Sequence, residues 1–201
     1  MTELILVRHG ETDWNRARRI QGSTDVPLNE TGRQQARDAA EALARELAPA
    51  APVLVVSSDL SRARETAEII ADRLGAGAPR LYRELRERSY GDAEGVVVDE
   101  FRARWGEWHV ARVPGAEPWP QVRERGVRAI RRIASDARRA TAPSAATVVA
   151  VSHGAMIREL IRHASGGTLP LPGERIGNAS HHRFLVERES LRLLSYAAVP
   201  A

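Results

Sequence analysis

Glu3-Leu4-Ile5-Leu6-Val7 runs without a break into Arg8-His9-Gly10, and the same order of parts returns twice more. Val53-Leu54-Val55-Val56 leads into Ser57-Ser58-Asp59, and Thr147-Val148-Val149-Ala150-Val151 leads into Ser152-His153-Gly154. Each run is apolar, or nearly so, and too short for a helix, which marks a strand covered on both faces of a sheet. Between them, apolar residues recur at the helical period. Ala36, Ala39, Ala40, Leu43, Ala44 and Leu47 follow the turn Asn29-Glu30-Thr31-Gly32. Leu60, Ala63, Ala67, Ile70 and Leu74 follow a cap expected at Ser57, Ser58 or Asp59, and Gly75-Ala76-Gly77 ends that helix. A long helix is expected over 121–139, with Val122, Ala129, Ile130, Ile133 and Ala137 inward, and another after Gly154. A short strand near 80–82 and a hairpin over 182–187 and 191–196 complete the pattern. Strands alternating with amphipathic helices predict an α/β fold, a three-layer α/β/α sandwich with a mainly parallel central sheet. Residues 1–201 read as one domain, with 84–119 as an irregular cap carrying Trp105, Trp108 and Trp119.

In such a sheet, ligands bind beyond the C-terminal ends of the strands. All three apolar runs end in polar residues, so His9, His153, Arg8 and the start of the helix bearing Arg62 are expected on one rim. Composition narrows the chemistry available there. Cysteine is absent, and all 30 basic residues are arginine. Thiol nucleophiles, thiolate metal sites, a lysine Schiff base and a P-loop lysine are therefore excluded. The formal net charge is +4, but acids and bases alternate along the helices and aromatics make up 4%. That is a mixed solvated surface with an excess of arginine, suited to small anions rather than to a nucleic acid. No apolar run approaches the ~18 residues of a membrane span, and the opening MTELILVRHG lacks the parts of a secretion signal, so a cytoplasmic location and no membrane partner are expected.

A phosphate monoester fits the rim. Arg8 and Arg62 offer planar, permanently charged forks for phosphoryl oxygens. The helix starts after Ser58 and His153 would aim N–H groups the same way. A nucleophile among these cations must stay uncharged, and guanidinium neighbours favour neutral imidazole. The ordinary alternatives are plain. Most arginines are solvated stems over apolar surface, and a histidine at a strand end is commonly a hydrogen-bonded loop residue. No two histidines stand four apart on a helix, and adjacent His181 and His182 would diverge on a strand, so no metal and no cofactor are expected.

Five ordered blocks then carry a resemblance along nearly the whole chain. They are Val7-Arg8-His9-Gly10-Glu11-Thr12 with Trp14-Asn15; Gln21-Gly22 and Pro27-Leu28-Asn29-Glu30-Thr31-Gly32; Ser57-Ser58-Asp59-Leu60-Ser61-Arg62-Ala63; Leu85-Arg86-Glu87-Arg88-Ser89-Tyr90-Gly91 through Glu94-Gly95; and Val151-Ser152-His153-Gly154 with Ile157-Arg158. The chain resembles the histidine phosphatase superfamily, in its phosphoglycerate mutase-like branch. The resemblance implies that His9 is the nucleophile that becomes phosphohistidine. Arg8, Arg62 and His153 would bind the transferring phosphoryl group. Asn15, Gln21, Gly22, Gly154 and Ala155 would complete the pocket. Glu87 would be the general acid toward the leaving alkoxide, then the general base toward water; its alternative is a surface ion pair with Arg86 or Arg88. Tyr90 would contact substrate or merely pack.

The same pocket serves phosphatases and mutases. The family's mutases carry paired arginines in the middle segment and a basic tail. Here 101–112 has no Arg-Arg pair and 194–201 has no charge, which favours hydrolysis of a small phosphorylated metabolite over phosphoglycerate mutase-type transfer. A silent anion-binding or regulatory protein is the third possibility, disfavoured because His9, Arg8, Arg62, Glu87 and His153 are all present. Pro114-Gly115-Ala116-Glu117-Pro118 departs from the family's Gly-Gly-Glu-Ser element, which leaves that lip's contacts open. The tryptophans read as cap packing or, less often, as a lid for a bulky leaving group. A homodimer across a sheet edge is an expectation by analogy alone.

Overall fold

A computed structural model describes residues 1–47, 52–108, 110–197 and 199–200. In chain order its strands are β1 (Thr2–Arg8), β2 (Val53–Ser57), β3 (Arg80–Leu81), β4 (Thr147–Ser152), β5 (Glu174–Arg175), β6 (His181–Val186), β7 (Leu191–Ser195) and β8 (Val199–Pro200). Its α-helices are α1 (Asp13–Arg16), α2 (Glu30–Glu46), α3 (Ser61–Leu74), α4 (Val98–Trp105), α5 (Trp119–Thr141) and α6 (Gly154–Ala164). Six strands form one sheet in the order β3-β2-β4-β1-β6-β7, and β5 pairs separately with β8. The first four in that order are parallel; β6 and β7 run antiparallel, as the expected hairpin.

The period-two alternation of each buried strand divides two cores. Ile5, Val7, Val55, Val149 and Val151 face α2 and α3, where they meet Ala40, Leu43, Ala63, Ala67 and Ile70. Leu4, Leu6, Val56, Val148 and Ala150 face α5 and α6, where they meet Val122, Ile130, Ile133, Met156 and Leu160. The strands are apolar on both faces because both faces are covered. Register then places the chemistry: Arg8 pairs with Ser152 and Ser57 with Val151, so the three polar strand ends lie side by side.

Several local expectations are corrected. Asn29 is the N-cap of α2, accepting the Gly32 N–H at 2.8 Å, so the expected turn is the helix's first turn. None of Ser57, Ser58 and Asp59 caps α3. The Ser61 N–H at its start donates instead to Asp25 at 2.8 Å, a residue 36 positions away that no local signal could reveal. The long helix begins at Trp119, two residues early, with Pro120 in its first turn, where a missing N–H costs nothing. The cap segment is also less irregular than expected. It holds α4 and short 3-10 turns at Arg83–Leu85 and Gly91–Ala93, and its residue 109 lies outside the described residues. Among the described residues no helix is long and apolar enough to cross a membrane.

Candidate active site

His9 follows β1 directly, and its backbone is held from three sides. Its N–H donates to Ser152 at 3.0 Å, while its carbonyl accepts from the Asn178 amide at 3.0 Å and from the Ala179 N–H at 3.3 Å. Gly10 must approach the first turn of α2 closely: a Cβ there would lie 2.2 Å from the Gly32 carbonyl oxygen. That approach folds the chain back so that the His9 ring nitrogen Nδ1 lies 2.7 Å from the Gly10 carbonyl. A carbonyl only accepts, so Nδ1 carries the proton and Nε2 the lone pair. His9 is buried, and that burial, with Arg62 and Arg8 adding to it, holds the imidazole well below its ordinary pKa. It is neutral at neutral pH, as a nucleophile among cations must be.

His153 follows the parallel neighbour β4 directly, and its ring centroid lies 5.1 Å from that of His9. Its Nε2 lies 2.9 Å from the Ser58 hydroxyl oxygen, which also accepts the Leu60 N–H at 3.3 Å. The hydroxyl can donate its proton to Nε2, and the tautomer that accepts it carries the imidazole proton on Nδ1. Burial first, then Arg62, His9 and Arg8, depress this imidazole as well. Neutral His153 therefore presents an N–H donor rather than a charge.

Arg62 sits on the first turn of α3 and is fully buried. Its two Nη groups donate to the carbonyls of Thr24 at 2.8 Å and Gly22 at 2.9 Å. Burial lowers its pKa to about 10, which leaves it cationic. Arg8 donates through Nη1 to the Ile176 carbonyl at 2.5 Å, and a Cβ on Gly154 would stand 3.5 Å from its Nε. The start of α6 is therefore in ordinary contact range of the guanidinium. The Nε atoms of Arg8 and Arg62 and Nδ1 of His153 are buried with no hydrogen-bond partner, as is Oε1 of Gln21. Buried N–H donors are rarely left unpaired. Three of them around two imidazoles make a cradle for an anion's oxygens.

Glu87 is half-buried, and its charge acts on both Arg8 and Arg62. Its carboxylate accepts N–H bonds from Arg88 at 2.8 Å, Ala155 at 3.1 Å and Met156 at 3.3 Å, so it is no exposed ion pair. The last two belong to the first turn of α6. The Ala155 N–H, expected to face the phosphoryl group, is thus engaged by Glu87 here, and the α3 start by Asp25. Arg86, the alternative partner, pairs with Asp59 instead at 2.7 Å.

The remaining expected residues divide. The Gly22 carbonyl holds Arg62, and Gln21 beside it is buried with its Oε1 unpartnered. The Asn15 oxygen accepts from Thr12 N–H, Thr12 hydroxyl and Asn178 amide, each at 3.2 Å, locking α1 to the His9 turn. Tyr90 is buried against Trp108, with ring centroids 5.3 Å apart, and burial followed by Glu87 raises its hydroxyl pKa. Trp105 and Trp108 pack on Phe101, while Trp119 stacks on the Arg88 guanidinium at 4.1 Å.

Ser58, Asn178, Thr66 and Arg125 escaped the sequence reading as site residues. Thr66 takes the Gly10 N–H at 3.1 Å. Arg125 donates to the carbonyls of Glu84 at 2.7 Å and Arg86 at 2.9 Å while gripping Glu117, and so straps down the segment that carries Glu87. On sequence it is one of many arginines on a polar helix face. Among the described residues no cluster of His, Cys, Asp or Glu is placed to hold a metal ion.

The family model described as "Histidine phosphatase superfamily (branch 1)" matches residues 4–198. This chain belongs to that superfamily. The histidine phosphatase is 34% identical over 196 residues to an "uncharacterized phosphatase PhoE" of Bacillus subtilis (strain 168), covering 98% of this chain and 94% of that one. It is 35% identical over 169 residues to a "metal-independent phosphoserine phosphatase" of Arabidopsis thaliana, covering 80% and 67%. Among solved structures, a mycobacterial glucosyl-3-phosphoglycerate phosphatase in complex with VO3 superposes with a TM-score of 0.81 at 30% identity, covering 99% of this chain and 100% of that one. Family and relatives make this histidine phosphatase an enzyme of the phosphatase class, with the phosphoglycerate mutase-like fold expected from its sequence.

Proposed function

We propose that the enzyme hydrolyses a small phosphomonoester through a phosphohistidine at His9. The observation that carries this is the Nδ1–H bond from His9 to the Gly10 carbonyl, which leaves a neutral, buried Nε2 lone pair beside two guanidinium groups. In the first step that lone pair attacks phosphorus, the P–O ester bond breaks, and the leaving oxygen takes its electron pair and a proton from Glu87. In the second, Glu87 takes a proton from water as the water oxygen attacks phosphorus. The N–P bond then breaks, its electrons return to Nε2, and inorganic phosphate is released. Arg8, Arg62 and the His153 N–H supply charge and hydrogen bonds to the phosphoryl oxygens as negative charge shifts onto the leaving and attacking oxygens.

Hydrolysis rather than mutase transfer is supported by the absence of an Arg-Arg pair in 101–112. The substrate class is a small phosphorylated metabolite whose phosphoryl group meets Arg8, Arg62 and His153. The test is phosphate release from p-nitrophenyl phosphate without added metal, beside isomerisation of 3-phosphoglycerate primed with bisphosphoglycerate. His9→Ala is expected to abolish release and the acid-labile phosphoenzyme while the thermal melt stays cooperative. Near wild-type release by that variant removes His9 as nucleophile, and isomerisation faster than hydrolysis replaces the phosphatase with a mutase.

A further inference from the structure

Arg62 carries a buried positive charge, yet the oxygens its Nη groups touch are the Gly22 and Thr24 carbonyls rather than a carboxylate. The charges of Glu87 and Asp25 act on it through space, and a further carboxylate stands one peptide away. Glu94, half-buried directly after the 3-10 turn in the fourth sequence block, accepts the Ser23 N–H at 2.9 Å and the Thr24 N–H at 3.0 Å. It also accepts the Ser23 hydroxyl at 2.9 Å, the Thr24 hydroxyl at 2.7 Å and the Tyr90 N–H at 3.0 Å. The Ser23 N–H and the Gly22 carbonyl are two ends of one peptide group. Carboxylate, peptide and guanidinium thus form a chain in which the peptide is polarised from both ends, and each bond strengthens the next.

This geometry keeps Arg62 usable. A carboxylate bound directly to the guanidinium would occupy the fork that a phosphoryl group needs. Relayed through a peptide, the negative charge still favours the buried cation and leaves Nε without a partner on its own chain. The same carboxylate explains Gly22. Its φ is +56°, and a Cβ there would fall 2.2 Å from a Glu94 oxygen. Because Glu94 also holds the Tyr90 N–H, it ties the turn beneath the cap to the loop that aims Arg62.

We propose that Glu94 is a positioning residue for phosphoryl transfer, fixing through the Gly22–Thr24 loop the orientation in which Arg62 meets the phosphoryl group. The proposal rests on the phosphatase function assigned to this pocket and adds a residue that acts without touching substrate.

Glu94→Gln tests it. The amide keeps the shape but offers N–H groups to a loop that already donates, so one side of the clamp must open. Three quantities are measured in wild-type and Arg62→Ala backgrounds: kcat and KM for p-nitrophenyl phosphate, the inhibition constant of vanadate, and calorimetric affinity for inorganic phosphate. In the wild-type background Glu94→Gln is expected to lower kcat about tenfold or more and to weaken vanadate by a similar factor, with KM changed less. In the Arg62→Ala background the same substitution is expected to change little, because the group it acts through is gone. A kcat within about twofold of wild type, or a loss that adds in full to that of Arg62→Ala, overturns the proposal. If Glu94→Gln does not fold, Thr24→Val removes the shortest bond of the clamp from an outer loop. It must then lower kcat and phosphate affinity severalfold, and no change overturns the proposal. A wild-type protein that binds phosphate but turns over no monoester defeats the assigned function instead; phosphate affinity still reads the clamp in that protein.

Discussion

Removing the Ser58 hydroxyl separates what His153 does for the fold from what it does for catalysis. Ser58 and His153 are both fully buried, and Ser58→Ala deletes the 2.9 Å bond between them together with the longer one from the Leu60 N–H. Leaving a buried imidazole nitrogen unpaired costs about 1–3 kcal/mol, and the Leu60 bond adds a fraction of the usual ~1 kcal/mol. A destabilisation of about 2–3 kcal/mol in a chain of this size lowers Tm by about 4–12 °C. The catalytic effect is smaller. A bond worth ~1 kcal/mol biases the His153 proton toward Nδ1 by roughly fivefold, so its loss halves the competent population at most. Some loosening of the ring brings the expected fall in kcat to about 2–10-fold, whereas deleting the donor outright with His153→Ala should cost about 10²–10³. The assay is a thermal melt, p-nitrophenyl phosphate kinetics, and nitrogen-15 spectra of the labelled histidines. A loss of ~10² or more with Tm unchanged would mean that Ser58 itself meets the phosphoryl group. Finding the His153 proton on Nε2 in the wild type would refute the tautomer assignment directly.

Other consequences are as open to measurement. Glu87→Gln should slow an alkyl phosphate about 10²-fold or more but p-nitrophenyl phosphate much less, because nitrophenolate departs without a proton; equal slowing of phosphorylation for both removes the acid role. Stability should fall as pH drops below 6.5. There the unfolded chain protonates the imidazoles of His9, His153 and His182 while the native protein, which holds all three below their ordinary value, does not. The slope is up to about 1.4 kcal/mol per pH unit for each histidine, and for His182 it ends near its lowered value of about 4. Urea melts between pH 7 and 4 check this, and a flat dependence would show that these imidazoles protonate alike in both states.

The outline of the fold was legible because burial on both faces leaves strands with continuous apolar runs and helices with a 3.6-residue stripe. The site was legible as far as strand ends go: parallel pairing brings Arg8, Ser57 and Ser152 to one rim by topology alone. What was misjudged shares one physical character. The α3 start was assigned a local cap, but Asp25 supplies it from another loop. The first turn of α6 was expected to present its N–H groups to phosphate, but Glu87 takes two of them. Each is a polar contact between segments far apart in sequence, and hydrogen bonds carry no periodicity for a sequence pattern to record.

By itself, the sequence determined the order of strands and helices, the absence of thiol and lysine chemistry, and which residue types could meet a phosphoryl group, since these follow from composition and from period-two and period-3.6 burial. Only the tertiary structure decided the rest. The proton sits on Nδ1 of His9 because the Gly10 carbonyl is turned back toward it, and Arg62 is held by carbonyls that a distant carboxylate steadies. Charge state, tautomer and aim belong to the surroundings of a side chain, and those surroundings exist only once the chain has folded.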